Sequence, residues 1–67
     1  MRGWLKTIRI SKGLNQQDVA KACEISNQYY SLIENGDRVP SVKIAQAIAN
    51  VLGFPWTRFF EPDQEAS

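Results

Sequence analysis

An all-α fold is predicted for this chain, with five short helices around one small core. Three observations predict it. Apolar residues recur at helical spacing, most clearly at Val42, Ala45, Ile48, Ala49 and Leu52. Start and stop signals bracket the periodic runs, with Asn15, Ser26 and Ser41 before them and Gly13, Gly36 and Gly53 after them. No stretch alternates convincingly in the manner of a strand.

The first helix is expected over roughly Arg2 to Lys12, with Trp4, Leu5 and Ile8 on one side and Gly13 as its stop. The second runs from about Gln16 to Cys23. Asn15 is a good N-cap, and Asp18 three residues on gives a variant of the capping box. Its inward face is Val19, Ala20 and Cys23. The third runs from Asn27 to about Asn35, capped by Ser26, with Tyr30 and Ile33 inward and Gly36 closing it. Pro40 then pushes Val39 out of helical geometry, and Ser41 caps a fourth helix to about Leu52. Gly53 ends that helix. Pro55 opens a short fifth one carrying Trp56, Phe59 and Phe60.

Sixty-seven residues make one domain, near the lower limit for an independent core. The single cysteine, Cys23, excludes an internal disulfide framework and reads as a small buried hydrophobe. Histidine is absent, which removes the commonest general base and metal ligand. With no glycine-rich phosphate loop and no paired carboxylates in a plausible cleft, an enzyme is not expected, nor a metal or cofactor. No apolar run approaches the roughly 20 residues of a membrane span and no signal-peptide pattern opens the chain, so the cytoplasm is the expected compartment.

The net charge is only +1, but its distribution is uneven. Residues 1–60 carry eight basic side chains against four acidic ones, a balance of +4. Glu61, Asp63 and Glu65 offset most of it near the end of the chain. A moderately basic body is compatible with phosphate contact without demanding it. More telling is the polar face headed by Asn27 and Gln28 at the start of the third helix. A carboxamide there can bond N6 and N7 of adenine together in a DNA major groove.

The run LNQQDVAKACEIS followed by NQYYSLIENGDRVPS resembles the Cro and phage-repressor helix-turn-helix family, the XRE family, over roughly residues 4 to 60. The specific part is the ordered combination: Gln16 opening helix two, Ala20 at its centre, the turn to Ser26, then IENG-x-R-x-PS. The resemblance implies a compact five-helix lambda-repressor-like DNA-binding domain over residues 1–61, with its helix-turn-helix at helices two and three. Residues 62–67 would be an acidic, frayed tail. It further implies that Ala20 sits where the two helices cross, and that Arg9 and Glu34 form a partly buried structural ion pair. One position departs from the pattern. Where the family often has glycine in the turn, this chain has Glu24, which is expected to take positive φ at a cost of roughly 1 kcal/mol.

Site residues follow from the same resemblance. Asn27 and Gln28 are expected to read bases, amides favouring adenine. Leu32 either meets a thymine methyl or packs against a partner, and Ser31 bonds a base or a phosphate. Gln16 opens a helix and would brace helix three against DNA and meet its backbone. Tyr29, Asn35, Arg38, Ser41 and Lys43 would contact phosphates and set register without reading sequence, although Arg38 and Lys43 are also explained as plain surface charge. Trp56, Phe59 and Phe60 either cap the core against helix one or form part of a two-fold dimer interface.

The expected function is therefore a sequence-specific DNA-binding transcriptional regulator. It would be a repressor on an inverted-repeat operator, bound as a homodimer at least on double-stranded DNA. The rival is a protein-interaction module on the same scaffold, antitoxin-like or regulator-binding, that docks its partner on the aromatic C-terminal helix.

Overall fold

Polar side chains set where three of the helices begin. In the computed structural model, which describes residues 2–61, Asn15 Oδ1 accepts from the Asp18 amide at 2.8 Å and Asp18 Oδ2 accepts from the Asn15 amide at 3.0 Å. Both halves of a capping box are thus formed. The hydroxyls of Ser26 and Ser41 accept from the amides of Tyr29 and Ile44 at 3.0 and 3.2 Å. From these starts the chain forms α1 (Gly3–Ser11), α2 (Gln16–Ala22), α3 (Asn27–Asn35) and α4 (Val42–Leu52). A 3-10 helix, Trp56–Phe60, follows. No strand occurs among the described residues. The tail expected at 62–67 lies outside them.

The fifth helix is therefore not an α-helix. Its bonds run from Arg58 N–H to the Pro55 carbonyl at 3.0 Å and from Glu61 N–H to the Arg58 carbonyl at 3.4 Å, each spanning three residues. Five residues after a proline are too few to repay nucleation of an α-helix, so the tighter turn prevails. Other boundaries move by a residue. Arg2 and Lys12 flank α1 as caps, and Cys23 caps α2 instead of ending it.

The core is built from one stripe of each helix: Leu5 of α1, Val19 and Ala20 of α2, Tyr30 and Ile33 of α3, and Ala45, Ile48 and Leu52 of α4. Cys23 and Phe59 complete it. Burying each large aliphatic contributes about 1.5–3 kcal/mol. Val42 falls outside this set, at 51% exposure, although it shares the helical period. It occupies the first position of α4, one turn beyond the core side chains that follow it. α2 packs chiefly on α3, α1 also meets α3, and the 3-10 helix closes over α4.

Ala20 is 2% exposed. Between α2 and α3 the chain turns through Glu24, the only non-glycine residue with positive φ among those described, at 59°. The strain expected there is present. No described helix is long and apolar enough to cross a membrane.

Candidate nucleic-acid interface

α3 has two unlike sides. Tyr30, Ile33 and Glu34 are buried on one. Gln28, Ser31, Leu32 and Asn35 follow at i, i+3, i+4 and i+7 and line the other. Asn27 stands at the N-terminal end of the helix. Asn27, Gln28 and Asn35 are exposed, whereas Ser31 and Leu32 are half-buried. The structure thus places four of the expected contact residues on one solvent-facing stripe, with Asn27 at its head.

The buried side anchors that stripe. Arg9 Nε donates to Glu34 Oε1 at 3.1 Å, Arg9 Nη2 reaches the same oxygen at 3.1 Å, and Arg9 Nη1 donates to the Leu14 carbonyl at 2.8 Å. Gln16 Nε2 donates to Glu34 Oε2 at 2.7 Å. One carboxylate therefore joins α1, the start of α2 and the end of α3. Removing either charge from a buried pair leaves the other uncompensated, at a cost of about 3–5 kcal/mol. Gln16 is half-buried, with one amide hydrogen committed inward, so its part in any DNA contact falls to its remaining N–H and its carbonyl oxygen.

Tyr30 lies beside this pair, fully buried, and its hydroxyl makes no hydrogen bond of good geometry, although the Arg9 side chain lies close enough to favour its ionised form slightly. Burial first, and then the Glu34 carboxylate, push the phenol far above its usual value. Burial likewise pushes the Cys23 thiol up, which suits an inert core residue.

At the far end of α3, Gly36 takes φ 87°, a geometry that glycine adopts without strain. It redirects the chain so that the amides of Asp37 and Arg38 both donate to the Leu32 carbonyl, at 2.9 and 3.2 Å. The Arg38 guanidinium lies over the Tyr29 ring, 5.9 Å from its centre, and Tyr29 is half-buried. Arg38, Ser41 and Lys43 are exposed along the connector and the first turn of α4. The Ser41 oxygen already serves as a cap acceptor, leaving its O–H to donate.

The aromatic segment is divided. Phe59 is 6% exposed and packs edge-on against Trp4 and at a tilt against Phe54, at centre distances of 5.4 and 5.5 Å. Phe59 thus caps the core against helix one, the first of the two roles expected for the aromatics. Trp56 is half-buried and stacks edge-on with Phe60 at 6.0 Å, while Phe60 is 45% exposed. Beside them a groove of about 440 Å³ is lined by Gln46, Ala49, Asn50, Gly53, Phe54, Pro55 and Trp56.

Two residues that the sequence did not single out prove important. Phe54 joins the aromatic cluster, and Arg2 reaches across to the end of α3. For Arg2 the one sequence signal is indirect: α3 has no basic residue in its last turn to meet its carbonyls.

Comparison with known proteins agrees with this geometry. The helix-turn-helix family matches residues 5–59. The chain is also similar to the uncharacterized HTH-type transcriptional regulator YqaF of Bacillus subtilis (strain 168). The two are 54% identical over 61 residues, which is 91% of this chain and 80% of that protein. With its paired α2 and α3, its buried Arg9–Glu34 link and its exposed Gln28 stripe, the chain belongs to the helix-turn-helix family of DNA-binding proteins, of the Cro and phage-repressor (XRE) type.

Proposed function

We propose that this chain is a repressor that binds an inverted-repeat operator as a homodimer, with α3 in the major groove. The observation that carries the reading is the exposed stripe of α3, headed by Asn27 and Gln28, on a helix whose other side is fixed by core packing and the Arg9–Glu34 pair. Asn27 and Gln28 take adenine edges, Leu32 a thymine methyl, and Ser31 a base or phosphate oxygen. Tyr29, Asn35, Arg38, Ser41, Lys43 and Gln16 hold the DNA backbone and set register. One copy makes few contacts. Two copies on half-sites about 10 base pairs apart double them, and the exposed edge of Phe60 with Trp56 supplies the surface through which they meet.

Selection of bound sequences from random duplex DNA tests binding, preference and symmetry together. A palindromic consensus is expected. Against it, Gln28→Ala relaxes preference at one base pair at a cost of about 1–3 kcal/mol, whereas Arg38→Ala weakens all sequences alike. Should both variants lose specific and non-specific binding equally, Gln28 is not a reader.

The exposed Phe60 beside an open groove also favours a second reading, docking of another protein on the C-terminal segment. A duplex affinity that falls steeply with salt supports the repressor. Stable hetero-association with no DNA affinity supports docking.

A further inference from the structure

Two backbone carbonyls from different segments converge on one side-chain nitrogen. Arg2 Nη1 donates to the Ile33 carbonyl at 2.6 Å and to the Arg38 carbonyl at 3.1 Å. The Arg2 backbone N–H donates to the Glu34 carbonyl at 2.9 Å. Ile33 and Glu34 belong to the last turn of α3, and Arg38 to the connector beyond it. The guanidinium also lies over the ring of Phe59, 5.7 Å from its centre. Residue 2 is thus tied to the end of α3, to the connector and to the core. It places a positive charge at the negative end of a helix that has no basic residue of its own in its last turn. Burial lowers the Arg2 pKa, yet a guanidinium stays charged.

Arg38 is held at both ends as a result. Its carbonyl is gripped by Arg2, and its guanidinium rests over Tyr29. Freed from Arg2, residues 37 and 38 keep, among the described residues, the two bonds of their amides to the Leu32 carbonyl. We propose that Arg2 is a positioning residue for the DNA-backbone contact, acting through Arg38 by locking the connector against the end of α3. The proposal rests on the reading of Arg38 as a phosphate contact. Arg2 Nη1 is committed to two protein carbonyls, and any contact made by the rest of its guanidinium would show as an effect independent of Arg38.

The test compares wild type, Arg2→Met, Arg38→Ala and the double variant, each checked for folding by circular dichroism. Arg2→Met keeps an unbranched stem against Phe59 and removes the donors; Arg2→Gln serves as a milder second variant. Affinity for the selected operator duplex and for random-sequence duplex is measured across a salt series. Arg38→Ala is expected to lower affinity on the order of tenfold and to reduce the salt slope by about one. Arg2→Met is expected to reduce the slope similarly, with little further effect when Arg38 is already alanine. Lost stability alone would leave the slope of the folded protein unchanged.

Additive effects of the two substitutions would mean that Arg2 acts by its own charge, and would overturn the proposal. So would an unaltered slope in Arg2→Met. An unaltered slope in Arg38→Ala overturns the phosphate reading and the proposal with it. The free protein then separates the two failures. If the tie is real, the Asp37 and Arg38 amides exchange faster in Arg2→Met; if it is not, their exchange is unchanged.

Discussion

Glu24 adopts φ 59°, where a Cβ crowds the backbone and glycine does not. Its side chain is exposed, so nothing is lost by removing it. Glu24→Gly is expected to raise stability by about 1 kcal/mol, read as a higher urea midpoint with an unchanged slope. Tyr30 offers a second residue-scale prediction. Its folded pKa lies above the unfolded value, so the folded state keeps a proton that the unfolded chain releases. The associated stability is complete below about pH 10 and falls as pH rises further. Tyr30→Phe should flatten that alkaline decline. With no hydrogen bond of good geometry to lose, but with the Arg9 side chain beside the hydroxyl, the change in stability near neutrality should stay within about 1 kcal/mol. Unfolding curves at pH 8 and pH 10.5 check both effects; an unchanged alkaline slope in the variant would assign the decline to other groups. The raised Cys23 thiol contributes a similar decline, starting lower, near pH 9.

At the scale of elements, caps govern more than propensity does. α3 is only nine residues long and would be marginal alone, so its N-terminal geometry depends on Ser26. Ser26→Ala is expected to cost about 1 kcal/mol of stability, measured by chemical denaturation. Operator affinity should drop with it, because Asn27 and Gln28 sit in the turn that frays; an unaffected affinity would place base reading elsewhere. Caps are also why the elements were legible in advance. Asn15 with Asp18, Ser26, and Ser41 after Pro40 are local signals, and each forms the local bond it advertises. The last segment lacked such a signal. Pro55 marked its start, but α and 3-10 geometry differ only in which carbonyl each amide finds, and so few residues leave that to packing.

For the whole molecule, the decisive feature is how one carboxylate and one arginine bind separate segments together. Glu34 joins α1, α2 and α3, while Arg2 joins the chain start to the end of α3 and the connector. These ties leave Asn27, Gln28 and Arg38 exposed on one rigid frame. The opposite end of the chain, with Phe60 outward, is where self-association is expected. Phe60→Glu should abolish dimers in sedimentation equilibrium and lower affinity for a palindrome at least tenfold, while sparing affinity for a single half-site. Equal losses on both duplexes would remove Phe60 from the interface.

Sequence by itself determined the four α-helices, their caps, most of their inward faces, the Arg9–Glu34 pairing implied by family resemblance, and the strained turn at Glu24. The helices, caps and inward faces follow from spacing and local signals, whereas the Arg9–Glu34 pair and the turn at Glu24 are what the family resemblance implies. Tertiary structure decided what spacing cannot encode. It sent Phe59 inward and Phe60 outward although they are neighbours, because only one of them faces Trp4 and Phe54. It left Val42 exposed on a periodic helix, turned one amide hydrogen of Gln16 onto Glu34, and brought Arg2 to carbonyls more than thirty residues away. Such contacts depend on where separate elements come to rest, and local chemistry carries no record of that.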